Sequence, residues 1–293
     1  MNSLVSVIIT TYRRNLKYLS QAVDSVINQS YENIEIIVVD DNGRETEFQI
    51  TNAEFLKKYN DITYLINETN SGAQFSRNRG ILASHGQYLA FLDDDDFWAH
   101  NKIERQTEYF IKYPEAGLIF CDGYIFEDGD LENLTKYQVH PVFDFPIRSD
   151  MMLYLDYVGT TSQVLIKREC FAKVGLFDPE MPARQDYEMW IRISKEYPLV
   201  GCPDIMFYHR IHKGDQISAN SKKRLIGYRK IYLKYKNEYK KHHRAKTKFM
   251  MVLCSKSIEE REYVRAGLYF IRGCVSHPAE AVKLIIGKVK ELR

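Results

Sequence analysis

The chain has 293 residues, of which 45% are apolar and 27% charged, enough for a folded core and too apolar for a wholly disordered chain. The net charge of +2 is a cancellation: residues 221–293 carry 20 Lys+Arg against 6 Asp+Glu (net +14), and residues 1–220 carry 21 against 33 (net −12). No stretch approaches the roughly 20 apolar residues of a membrane-spanning helix, and five scattered cysteines without a C-x-x-C pair argue against a disulfide framework and for a reducing cytoplasm.

In chain order, the opening run Leu4–Ile9, with β-branched Val5, Val7, Ile8 and Ile9, has no basic residue before it and no small-residue cleavage site soon after it, which predicts a strand and not a leader. Leu16, Leu19, Val23, Val26 and Ile27 recur at helical spacing, and Ile34–Val39 is near-continuously apolar, as buried parallel strands are. Further strands are predicted at Ile62–Ile66, Tyr88–Leu92 and Gly117–Phe120, with a helix over Lys102–Lys112. This rhythm predicts an α/β fold: an open, mostly parallel sheet with helices on both faces. Residues 122–158 are acidic, aromatic and weakly periodic, reading as loops with room for a hairpin. Gln163–Ile166 predicts a strand and Asp186–Ser194 a helix with Tyr187, Trp190 and Ile191 on its apolar side; beyond residue 220 the pattern is wholly helical. The expected division is 1–100, 101–220 and a basic helical extension over 221–293.

In such sheets the ligand crevice lies beyond the carboxyl ends of the strands. There the sequence places Thr10-Thr11-Tyr12-Arg13, Asp40-Asp41-Asn42-Gly43 and Asp93-Asp94-Asp95-Asp96, three polar clusters expected to converge. Four consecutive aspartates repel one another and need a reason. Side-chain alternation puts Asp93 and Asp95 on one side. Their hard oxygens suit Mg²⁺ or Mn²⁺, with a diphosphate completing an octahedral site. A solvated acidic turn or a helix cap is the plain alternative.

Phe91–Trp98, running into Asn101-Lys102-Ile103-Glu104, resembles the Asp-x-Asp-Asp segment of the family-two inverting glycosyltransferases, whose fold is the GT-A nucleotide-sugar-binding type. The resemblance extends over roughly residues 3–218. Ser6–Tyr12 and Glu35–Asp41 are similar to the family's first two strands, and Asn70, Gly72, Arg77, Asn78 and Gly80 fit its N-x-G-x-x-x-x-R-N-x-G segment. The resemblance implies nucleotide contacts from Thr10, Tyr12, Arg13, Asp41, Arg77, Asp93 and Asp94, with Asp41 accepting from a uracil imide and Asp94 near the ribose. It implies a metal, Mn²⁺ or Mg²⁺, on Asp95 with help from Asp93 and His212, which matches the family's histidine better than His209 does. Asp186, in Arg184-Gln185-Asp186-Tyr187-Glu188, matches the catalytic base, with Glu188 a competing candidate. Gly159, Thr160, Thr161 and Gln185 fall where relatives build the acceptor pocket.

The implied activity is transfer of a hexose from a nucleotide sugar, UDP above dTDP, to a glycan hydroxyl in bacterial surface-polysaccharide assembly. Two other readings stand beside it. A sugar nucleotidyltransferase would usually open with a glycine-rich phosphate loop, and Thr10–Arg14 has no glycine. A non-catalytic carbohydrate-binding module would not need Asp186 together with the acidic cluster.

In the tail, Lys222–Lys248 holds 12 Lys+Arg against Glu238 alone, around a stripe of Leu225, Tyr228, Tyr232, Tyr235 and Tyr239. Tyrosines with snorkelling lysines suit an anionic membrane surface, and with it a lipid-linked acceptor and a peripheral place on the inner face of the plasma membrane. The same stripe would equally pack inward as an ordinary helix. No base-reading motif accompanies the charge, so nucleic acid is not an expected partner. The oligomeric state is not legible.

Overall fold

The structure, a computed structural model, describes residues 3–137, 146–211 and 220–291. Strand and helix alternate from the start: β1 (Val5–Thr11), α1 (Leu16–Ile27), β2 (Ile34–Asp40), α2 (Glu47–Leu56), β3 (Ile62–Ile66), α3 (Ala73–Ala83) and β4 (Tyr88–Asp93). The two-residue β5 (Phe97–Trp98), α4 (Lys102–Lys112), the long β6 (Leu118–Glu127) and the short β7 (Thr135–Lys136) follow. Next come α5 (Ser149–Tyr154), β8 (Val164–Lys167), α6 (Arg168–Val174), α7 (Gln185–Glu196) and β9 (Leu199–Ile211). The remainder is helical: α8 (Ser221–Lys234), α9 (Lys236–Lys241), α10 (His243–Glu259), α11 (Tyr263–Ser276) and α12 (Pro278–Glu291).

The chain forms two compact units. The first comprises Met1–Ile147, Val158–Pro179 and Arg192–Lys213; the second comprises Arg148–Tyr157, Glu180–Ile191 and Gly214–Arg293. Two short segments distant in sequence thus group with the C-terminal helices.

In the first unit the strand order is β3-β2-β1-β4-β8-β6-β9-β5, with β7 on β6. β3, β2, β1 and β4 are parallel, as the early rhythm predicts. Beyond β4 the sheet is mixed: β8 runs antiparallel to β4 and β6, whereas β9 runs parallel to β6. The weakly periodic region contains the β6–β7 antiparallel pair and α5.

Alternation divides β1 between two faces. Val5, Val7 and Ile9 enter one core with Leu19, Val23 and Val26 of α1 and Ile103 and Phe110 of α4. Ile8 meets α3 on the other face, where a Cβ at Gly80 would lie 2.4 Å from Ile8 Cγ2; glycine is what permits that approach. α1 begins where the Asn15 side chain accepts from Lys17 N at 3.0 Å, and α2 where Thr46 Oγ1 accepts from Gln49 N at 3.2 Å.

The second unit has an aromatic core. Tyr235 and Tyr239 are buried with Leu225, Ile231, Phe249, Met250 and Leu253. Tyr239 packs on Phe249 at 4.9 Å between ring centroids, and Tyr232 on Tyr239 at 5.6 Å. The tyrosine stripe that the sequence offers to a membrane therefore points inward. Its hydroxyls are used there: Tyr239 donates to Leu153 O at 3.2 Å and Tyr235 to Glu188 Oε1 at 2.7 Å.

Candidate active site

Parallel register brings the strand ends together. Thr11 is level with Asp40 across β1–β2, and Thr10 with Asp93 across β1–β4, so the three predicted polar clusters share one edge of the sheet.

Each aspartate there has a distinct environment. Asp40 is fully buried and satisfied: its oxygens accept from Asn42 N and Nδ2 (2.9 and 2.8 Å), Asn52 Nδ2 (2.8 Å) and Tyr64 Oη (2.6 Å). Asp41, also buried, accepts from Asn67 Nδ2 at 2.7 Å and from the backbone N–H groups of Ser71 and Gly72 at 2.8 Å each. Those two amides precede α3, so Asp41 lies at a helix N-terminus, where negative charge is favoured. Gly72 takes φ 90°, which a side chain would strain. Asp41 thus holds the 67–72 loop as well as facing the strand ends. Three of its roughly four acceptor positions are taken.

The acidic turn after β4 is clasped by guanidinium groups. Arg77, 4% exposed, reaches Asp93 Oδ1 with Nη2 at 2.6 Å, while its Nε and Nη1 are buried without a hydrogen-bond partner. Arg14 Nε lies 2.8 Å from Asp94 Oδ1, and Arg14 Nη2 lies 3.0 Å from Asp95 Oδ2. Asp94 also accepts from Tyr12 N at 3.2 Å. Burial, opposed by Arg14 and reinforced by Asp95, pushes the Asp94 carboxyl up to about 7. Asp96 is buried; His209 Nδ1 lies 2.9 Å from its Oδ1, and its Oδ2 has no partner. Although burial lowers it, the Asp96 carboxylate and the neighbouring aspartates raise His209 to about 9.

The sequence singled out Arg13, yet Arg14 is the residue that reaches the aspartates. Arg13 takes φ 48°, donates its N–H to Asn42 Oδ1 at 2.6 Å and lays its exposed side chain over Tyr12, 5.3 Å from the ring centroid. Tyr12 itself is 38% exposed, leaving ring surface open. Arg210 is likewise an addition, and His209, the weaker match in the sequence, is the histidine seen beside Asp96. Arg210 donates to Asp95 O at 3.1 Å and pairs with Asp128 at 2.6 Å. The signal for all three was a basic residue within a few positions of a matched motif, but the sequence does not say which one points inward. His212, the predicted histidine, lies outside the described residues.

The Gly159–Thr161 segment also belongs to the first unit. Gly159 has φ 92°, Thr160 and Gln163 form a reciprocal cap, and the buried Thr161 Oγ1 has no hydrogen-bond partner. The next residue touches the acidic turn, with Asp93 N donating to Ser162 Oγ at 3.3 Å.

Gln185 and Asp186 open α7 in the second unit, after Arg184 at φ 63°. Asp186 Oδ1 accepts from Tyr187 N at 2.7 Å. Glu188 is fully buried and held by Tyr235 Oη and Lys234 Nζ, each at 2.7 Å. Those contacts give Glu188 a structural employment. The second unit also holds a cleft of about 590 Å³, lined in part by Tyr154, Tyr157, His242, Arg244 and Lys283, and none of the predicted site residues lines it.

The sequence profile described as "Glycosyl transferase family 2" matches residues 6–175. The chain belongs to that family. This decides among the three readings of the sequence: the protein is a glycosyltransferase. The "Uncharacterized glycosyltransferase MJ1057" of Methanocaldococcus jannaschii is 27% identical over 82% of this chain and 81% of its own length. The "Putative colanic acid biosynthesis glycosyl transferase WcaA" of Escherichia coli K12 is 28% identical over 81% and 83%. A longer Rickettsia felis glycosyltransferase is 31% identical over 71% of this chain, which spans only 34% of it. Two solved structures share the fold. Staphylococcus aureus TarS, crystallised with UDP-GlcNAc, superposes with TM-score 0.63 at 14% identity, over 97% of this chain and 92% of that one. The mannosyltransferase PcManGT of Pyrobaculum calidifontis, in complex with GDP-Man and Mn²⁺, gives 0.66 at 16% identity, over 100% and 81%. The glycosyltransferase fold is therefore GT-A-like, with a helical C-terminal part.

Proposed function

We infer that this family-2 glycosyltransferase moves a hexose from a nucleoside-diphosphate sugar, UDP above dTDP, to a hydroxyl of a glycan acceptor, inverting the anomeric centre. The observation that carries this is the acidic turn Asp93–Asp95, level with Thr10 and clasped by Arg14 and Arg77. Paired carboxylates and guanidinium groups at strand ends are suited to a ligand bearing phosphates and a cation. Arg77 supports the reading further, because a phosphate oxygen would give a partner to the N–H groups of its unpaired Nε and Nη1. The UDP-GlcNAc and GDP-Man complexes of the structural neighbours point to the same donor class.

The donor set fits a divalent cation. Carboxylates of Asp95 and Asp93 offer hard oxygens, and Mg²⁺ or Mn²⁺ takes one or two of these plus substrate phosphates in preference to an all-protein cage. When bound, the cation would offset charge on the departing diphosphate.

The chain's own residues divide the remaining work. Tyr12 presents a ring for the base, Asp41 an acceptor for the imide and Asp94 a group for the ribose; Thr10 and Arg13 flank them. Arg77 approaches the diphosphate. Gly159, Thr160, Thr161 and Gln185 receive the acceptor. Asp186 takes the proton from the attacking hydroxyl as that oxygen displaces the nucleoside diphosphate in line. The segment 1–100 would thus serve the donor, and 101–220 the acceptor.

WcaA's description supports exopolysaccharide assembly as the setting. With the basic tail, it supports a lipid-linked acceptor and attachment to an anionic membrane surface. The test is a donor screen with Mn²⁺ or Mg²⁺, following nucleotide release and then the product's mass. UDP or dTDP release with a mass gain of one hexose is expected. Pyrophosphate release, or release of GDP alone, would overturn the donor assignment.

A further inference from the structure

We propose that the glycosyltransferase docks on an anionic membrane through the outward face of α11 and α12, and not through the tyrosine stripe of α8 and α9. This deepens the membrane attachment proposed above and rests on it. In α11, Val264, Leu268, Ile271 and Val275 are 81, 50, 59 and 76% exposed. Their spacing of four, three and four puts them on one line of the helix. The opposite line is made of small residues: Ala266 is 3% exposed, and Gly273 is buried where a Cβ would lie 3.2 Å from Met250 Cβ. Thr247 Oγ1 donates to Gly273 O at 2.9 Å, fixing that close approach of α10. α11 therefore buries its small residues and exposes its large ones, the reverse of a helix whose partners are all within its own chain. α12 also exposes large apolar residues, Val282, Ile285 and Ile286 at 56, 39 and 50%, while Ala281 is buried.

The charges beside these stripes name the partner. Residues 262–291 carry Arg265, Arg272, Lys283, Lys288 and Lys290 against Glu262, Glu280 and Glu291. Glu262 is engaged by Arg229 and Arg265, and Glu280 by Arg244 and Tyr154. A second copy meeting this face would bring like charges together, whereas anionic headgroups complement them. The geometry is that of helices lying in the plane of the interface. At 14 residues each, α11 and α12 are about 21 Å long, short of a bilayer core, and no helix among the described residues is long and apolar enough to cross one.

The test uses the full chain in vesicle flotation, with phosphatidylcholine alone or mixed with phosphatidylglycerol. Flotation is expected with phosphatidylglycerol and weakly or not at all without it. Leu268→Glu with Ile271→Glu should lower binding at least about tenfold, and Arg265→Glu with Arg272→Glu severalfold. Lys222→Glu with Lys223→Glu, on α8, should change it little. Because the apolar face is exposed, these variants should keep the native circular dichroism. Leu268→Trp supplies a second readout: its emission should shift to the blue on phosphatidylglycerol vesicles and be quenched by lipids brominated on their acyl chains. Normal flotation of the Leu268/Ile271 variant, or an introduced indole whose emission stays that of water, would overturn the placement while leaving membrane attachment itself standing. Absence of flotation by the unmodified chain would overturn both. A dimer in solution that the same two substitutions dissolve, without vesicle binding, would assign the face to a second copy.

Discussion

The two regions of this glycosyltransferase hide opposite kinds of side chain. At the strand ends of the first unit, charged groups are buried: Asp94, Asp95, Asp96 and Arg77 are all at most 7% exposed. In the C-terminal helices, aromatic hydroxyls are buried, while Val264, Ile271 and Val275 stand in solvent. Burying charge costs several kcal/mol per ion unless partners are supplied, and exposing apolar surface forfeits about 25 cal/mol per Å². Either arrangement is relieved when something outside the chain completes the surface. A phosphate-bearing donor does so for the first region in our reading, and lipid for the second.

Five substitutions test this contrast. The largest effect is expected at the proposed chemical groups: Asp186→Asn and Asp95→Ala should each lower kcat by about 10²–10⁴-fold in a purified transferase assay, with the fold intact. Near-full activity in Asp186→Asn would remove it as the base. Next, Tyr239→Ala should cost about 3–5 kcal/mol of stability in denaturant titration, because the ring fills a closed aromatic core. A loss below about 1 kcal/mol would return the stripe to the surface.

A smaller effect tests buried charge outside the site. Lys102 is fully buried, 4.1 Å from the Trp98 ring centroid, donates to Gln106 Oε1 at 2.7 Å, and burial lowers it to about 8. Its unfolded form holds a proton up to about 10.5, so between those values the unfolded state binds more protons and stability rises with pH. Lys102→Met should therefore be more stable than the parent at pH 7, by about 2 kcal/mol, with the gap closing as the pH rises from about 8 to about 10.5; a gap independent of pH would refute the cost of the buried ammonium. The smallest effect belongs to the exposed basic face of α8. Lys222→Glu should alter stability by no more than about 0.5 kcal/mol in the same titration.

Much of the first unit is legible in the sequence because its signals are local. Continuous β-branched runs announce β1 and β2, the apolar line of α1 is periodic, and the polar residues after each run mark the strand ends. The mixed half of the sheet was less legible, since whether β8 pairs parallel or antiparallel depends on partners far along the chain. The weakly periodic 122–158 region concealed α5, whose six residues are too few to establish a period. Arg14 was missed beside Arg13 for a similar reason: two adjacent arginines are equivalent in text, and the left-handed turn at Arg13 decides which one reaches Asp94 and Asp95.

The sequence by itself determined the family, the acidic cluster and the charge asymmetry, for these depend on which residues occur and in what order. Only tertiary structure decided which face of each tail helix is covered. A helical stripe of Tyr228, Tyr232, Tyr235 and Tyr239 looks alike whether it meets lipid or Phe249, because amphipathic periodicity records that a face is buried and not what buries it. The packing of α10 against Gly273 settled the matter, with Ala266 buried on the same side and Val264, Leu268, Ile271 and Val275 turned outward.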